Sequence, residues 1–172
     1  MPVKPTADTQ MRVFELPDMA KILAVDFAKL KNWTNGRTGL VITPSVRPAG
    51  GTGKSNLYSV TDLYLMAVAR EFSKAGFAAN AIGKLTEAAL AKLSRPYSPE
   101  DVWTIMRAKG GGPFTIQAGD IKPVGLFWQT LRLGELIAEV ESAIEAFAAV
   151  RKRELEKRKK EREEKKRAKA RQ

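Results

Sequence analysis

Apolar positions along this chain change their period several times, and each change marks an element. Over residues 16–33, Leu16, Ala20, Ile22, Leu23, Val25, Leu30 and Trp33 recur at helical spacing around Asp18 and Asp26. The pattern predicts two short helices joined by a tight turn. Each aspartate is a candidate N-cap, because a carboxylate there accepts from amides that the first helical turn leaves unpaired. Leu30 and Trp33, at i and i+3, face inward, which leaves Ala28, Lys29, Lys31 and Asn32 outside. An ordinary surface helix pair with solvated lysines produces the same spacing.

The period then shortens. Residues 40–43 are apolar and β-branched, 44–54 form a Pro/Gly/basic loop, and 55–59 can return as a second strand, so a hairpin is expected beside the helix pair. A helix over 61–74, capped by Thr61 or Asp62, is apolar on nearly every face between Leu63 and Ala69 and must be buried. Gly76 is placed to end it, and 78–93 reads as an Ala-rich helix with Ile82, Leu85, Ala89 and Leu93 on one side. Pro96 and Pro99 break that helix.

Strand-like runs at 102–107 and 113–117 flank a glycine cluster, and 124–129 adds a possible third strand, a small sheet that braces rather than binds. From Arg132 a long helix is expected, with Leu133, Ile137, Val140, Ile144 and Phe147 at alternating steps of four and three. That spacing is a coiled-coil seam, although an amphipathic helix docked on its own core shares it. The expected class is mainly α, of α+β type. The units are a flexible lead (1–14), the helices with their hairpin (15–93), a linker and small sheet (94–130), the seam helix (131–150) and a charged tail (151–172).

Of 172 residues 44% are hydrophobic, enough for one modest core with appendages. The formal charge of +11 is uneven: 151–172 holds 13 Lys/Arg against 5 Asp/Glu, and 1–150 holds 17 against 14. Glu154 with Arg158, Glu156 with Lys160, and Glu161 with Lys165 are i, i+4 pairs that support an exposed helix. Such a tail with a net +8 suits a sequence-independent nucleic-acid arm. Cysteine and histidine are absent, which excludes disulfides, thiolate or His-ligated metal sites and Cys/His catalytic dyads. No cofactor, metal or enzymatic constellation is expected. The polar lead lacks a signal-peptide core and no run approaches the roughly 18 apolar residues of a membrane span, so a cytoplasmic protein without a membrane partner is expected.

The order of helix pair, hairpin, Leu57-Tyr58-Ser59-Val60-Thr61-Asp62-Leu63 and a helix ending Lys74-Ala75-Gly76-Phe77 resembles the DNA-binding domain of MerR-type transcription regulators. The resemblance spans residues 16–93. It implies a winged helix-turn-helix, double-stranded DNA as partner, and a sequence-specific, nucleoid-associated regulator acting as a homodimer through its C-terminal helix. Two departures bear on the family's promoter preference: Lys31-Asn32-Trp33 stands where Arg-Tyr-Tyr is usual, and Asn56 where a basic residue is common. Lys29, Lys31 and Asn32 become candidates for base contacts, since an amide matches adenine and a lysine guanine acceptors. Arg37, Arg47, Lys54 and Tyr58 are the phosphate candidates. Leu133, Ile137, Val140, Ile144 and Phe147 form the candidate dimer interface. The alternative is an architectural or assembly DNA-binding protein of a mobile element or phage, such as an excisionase-like or packaging-recognition subunit.

One rival motif lies in the hairpin loop. Gly50-Gly51-Thr52-Gly53-Lys54-Ser55 resembles the end of a Walker A loop. The full pattern needs a glycine where Pro48 stands, and no helical pattern follows Ser55 directly, so the nucleotide-binding reading is set aside.

Overall fold

The computed structural model describes residues 13–36, 42–46, 55–93, 98, 100–108, 114–122 and 126–169. Among these the chain runs α1 (Leu16–Ile22), α2 (Phe27–Thr34), α3 (Val60–Lys74), α4 (Ala79–Leu93), β1 (Val102–Ala108), β2 (Thr115–Ala118), β3 (Leu126–Arg132) and α5 (Leu133–Lys169). The mixed α+β class read from the pattern is what the fold shows.

α3 is the centre of the packing. Val60, Asp62, every residue from Leu63 to Arg70, and Phe72 are buried, so it has no face toward solvent along that stretch. Its N-cap is Ser59, not Thr61 or Asp62. The Asp62 N–H donates to Ser59 Oγ (3.2 Å) and the Ser59 N–H donates to Asp62 Oδ2 (2.8 Å). This reciprocal box needs its acid at the third helical position, which moves the start earlier than the apolar run suggests. At the other end Gly76 takes φ +83°. Its N–H donates to Ser73 O and that of Phe77 to Phe72 O, while the Phe72 and Phe77 rings meet at 5.7 Å. These are the paired bonds and apolar contact of a Schellman ending, as Gly76 foretold.

The sheet is antiparallel in the order β2-β1-β3, with Ile105 opposite Ile116 and Trp103 opposite Leu131. Those four side chains join the same core as the helices, so the sheet packs back onto the helical body.

α5 closes the core, and here the expected seam is corrected. Leu133, Ile137, Val140 and Ile144 are only 2, 1, 2 and 1% exposed within a single chain, and Phe147 packs part-buried on the same cluster. The face assigned to a second copy is occupied by α1 and α3 of its own chain. Spacing of four and three states that a face is buried, not whose surface buries it.

The hairpin expected over 40–43 and 55–59 falls partly outside the described residues. Ile42 and Thr43 are irregular, and Tyr58 forms an antiparallel bridge with Phe14 through two 2.9 Å bonds.

Candidate nucleic-acid interface

The α1–α2 corner is built by local chemistry. α1 begins after Glu15, whose side chain makes no capping bond, with Pro17 in the first turn. Proline fits there because its missing N–H is unpaired in any helix, and this start leaves Asp18 inside the helix rather than capping it. Asp18 instead approaches Arg151 of α5 at 3.4 Å. α1 ends in a second Schellman arrangement: Ala24 N–H donates to Lys21 O and Val25 N–H to Ala20 O. Ala24 adopts φ +50° there, in the left-handed region that favours glycine. Asp26 then caps α2 as expected, its Oδ1 accepting from the Lys29 N–H at 3.0 Å.

α2 sits on the body by Leu30 (0% exposed) and Trp33 (3%). Trp33 O accepts the Ile42 N–H at 3.0 Å, tying the following segment to the last turn. Ala28, Lys29 and Lys31 are exposed and Asn32 is half-buried. The Lys29 ammonium lies 5.5 Å from the Trp33 ring centroid, a cation–π contact that draws it along the helix flank. Lys31 projects from the bare side.

Phe27 is 45% exposed, which its i, i+3, i+6 relation to Leu30 and Trp33 conceals. Each three-residue step rotates about 60° short of a full turn, so Phe27 drifts off the buried face. An exposed phenylalanine beside Ala28 adds an apolar surface of the kind that meets thymine methyl groups.

Tyr58, expected at a phosphate, is corrected. It is 0% exposed, accepts from Asn56 Nδ2 at 3.3 Å and is hydrogen-bonded with the Thr34 side chain. Burial pushes its phenol above the ordinary tyrosine value. It joins the end of α2 to the segment entering α3. Arg37, Arg47 and Lys54 lie outside the described residues.

Two positioning groups were missed by sequence reasoning. Asp62 Oδ2 accepts from Ser45 N (3.0 Å) and Ser45 Oγ (2.6 Å) in addition to Ser59 N, pinning the segment after α2 to the start of α3. Arg70, 8% exposed, donates to Leu23 O (3.0 Å) at the end of α1, to Glu71 (2.8 Å) and to Glu139 of α5 (2.9 Å). It fixes the corner between α1 and α2 against α3 and α5. The available signal was a charge directly flanking a run apolar on every face, at each end, which survives burial only with several partners.

An open cleft of about 720 Å³ lies between the end of α3, β3 and the start of α5. Its charges are largely paired among themselves, Lys74 with Glu71 (2.9 Å) and Arg132 with Glu135 (3.1 Å). Among the described residues no group of three or more potential metal-ligating side chains converges, and no helix is long and apolar enough to cross a membrane. No family model matches the sequence, and no curated protein is significantly similar to it.

Proposed function

We propose that this chain is a sequence-specific DNA-binding protein of winged helix-turn-helix type, MerR-like, that regulates transcription on the nucleoid. One observation carries the reading: α2 is capped at its start and buried along Leu30 and Trp33, yet bare along Ala28 and Lys31. A rigid short helix with one basic, partly apolar face open matches the width and chemistry of a major groove. Lys31 and Asn32 read base edges, Lys29 serves the flank, and Arg37, Arg47 and Lys54 are the phosphate contacts.

The test is selection of a preferred site from a random duplex library with the full chain, repeated with Lys31→Ala and Asn32→Ala combined. Each lost base contact is expected to cost about 1–3 kcal/mol of discrimination. Unchanged selectivity would remove α2 from the reading role.

The internal use of the α5 seam favours a second reading, an architectural or assembly DNA-binding protein of a mobile element or phage. A dimer in sedimentation supports the regulator; a ring or filament supports assembly.

A further inference from the structure

The distal part of α5 distributes its charge unequally around the helix. At about 100° per residue, Arg151, Lys152, Arg158, Lys159, Arg162 and Lys165 fall within roughly 140° of the circumference, with no acid among them. Leu155, 59% exposed, lies in the middle of that stripe. The remaining circumference carries Arg153, Lys157 and Lys160 against Glu154, Glu156, Glu161, Glu163 and Glu164. Thus one side holds six cations and the other a net −2, and every residue from 151 to 165 is exposed. A helix made only for solubility has no physical need to segregate its charges in this way.

The stripe is also aligned with the body. Leu133, Ile137, Val140 and Ile144, buried on the core, occupy the same side of the helix on which Arg151, Arg158 and Arg162 follow. One face of a continuous helix therefore passes from apolar and docked, through Arg151 paired with Asp18, to cationic and bare. The changeover sits beside α1, where Asp18, Ile22, Phe147, Val150 and Arg151 line one groove.

We propose that this stripe lies along the phosphate backbone of duplex DNA flanking the segment read by α2, an inference that rests on α2 being the reader. From Arg151 to Lys165 the helix rises about 21 Å, the length of roughly six base pairs. The occupant is a linear polyanion because the cations repeat along the axis rather than converge on a point. The contact extends affinity and footprint without reading bases.

The experiment compares two full-length variants of equal charge. One carries Arg158→Gln, Arg162→Gln and Lys165→Gln on the stripe; the other carries Arg153→Gln, Lys157→Gln and Lys160→Gln on the opposite side. Affinity for a 30-base-pair random duplex, the length being of the order needed to hold both contacts, is measured against salt. The stripe variant is expected to lose up to about three units of the log K against log salt slope, at roughly 0.9 per phosphate contact, and the opposite variant less than one. Preference for a selected site over random duplex should persist in both. Equal losses would overturn the stripe in favour of diffuse attraction, and an unchanged slope in both would overturn it in favour of an acidic protein partner or plain solvation. If the wild-type chain binds no duplex, the α2 reading itself fails. If Lys31→Ala with Asn32→Ala abolishes selection while the stripe variant behaves as wild type, only the stripe proposal fails.

Discussion

α2 and α3 have opposite relations to the rest of the chain. α3 is surrounded, with eleven buried residues out of fifteen, including an aspartate whose Oδ2 accepts from Ser45 and Ser59 and an arginine held by Leu23, Glu71 and Glu139. α2 buries two of its eight residues and leaves one side to solvent. An element enclosed on every side can only hold others in place, because no partner can reach it. An element anchored by a narrow buried strip keeps both rigidity and an accessible face, which is what recognition requires. Arg70 and Ser45 connect the two roles, since each ties the surroundings of α2 to the enclosed helix.

The contrast is most severely tested at Ile144, on the helix that covers α3. Ile144→Glu places a carboxylate where 1% of the residue is exposed. The expected cost is roughly 5 kcal/mol from desolvation and lost packing, enough to unfold a marginal domain. Circular dichroism should show loss of structure. A folded monomer derived from a wild-type dimer would restore the seam as a subunit contact and undo the account of α3 as enclosed by its own chain.

Trp33→Ala attacks the strip that anchors α2, with an expected loss of about 3–5 kcal/mol for a ring that is 3% exposed. Urea denaturation measures it. A loss below about 1 kcal/mol, the range of surface substitutions, would mean that α2 is not held by its inner face.

Ala24→Gly should act in the other direction. Ala24 holds φ +50° at the end of α1, so removing its Cβ relieves left-handed strain and is expected to raise stability by about 0.5–1 kcal/mol. An unchanged or lower urea midpoint would contradict a strained corner.

A pH-dependent effect is expected at Tyr58. Its folded pKa is raised by burial, so the protonated phenol contributes stability below the unfolded value near 10.0, and that contribution is lost as pH rises through the folded value. Tyr58→Phe removes this dependence together with the hydroxyl's bonds to Asn56 and Thr34, each worth about 1 kcal/mol. The advantage of the wild type should therefore persist below the unfolded value and shrink as pH rises above it. A constant difference would place Tyr58 in water, where a phosphate contact is again open to it.

Legibility of the chain followed the range of the interactions involved. Asp26, Gly76 and the three-strand alternation were readable because each acts within a few residues of itself. Spacing alone left the cap of α3 undecided because Ser59, Thr61 and Asp62 are equally good cap chemistries, and only the reciprocal bond of Asp62 selects Ser59. Tyr58 was misplaced because a phenol suits both a phosphate and a core, and the choice fell to Phe14 and Thr34, arriving from elsewhere in the chain, together with the nearby Asn56.

By itself, then, the order of residues determined which stretches form the helices and the three-stranded sheet, that α3 must be buried, and that positive charge gathers over residues 151–172. The tertiary structure decided what each buried face meets: α5 against its own core, Arg70 against the end of α1, Tyr58 under α2. The reason is physical. Backbone hydrogen bonds and caps are directional and local, so they are written in short spacings, whereas apolar burial is non-directional and accepts whichever complementary surface the fold brings to it.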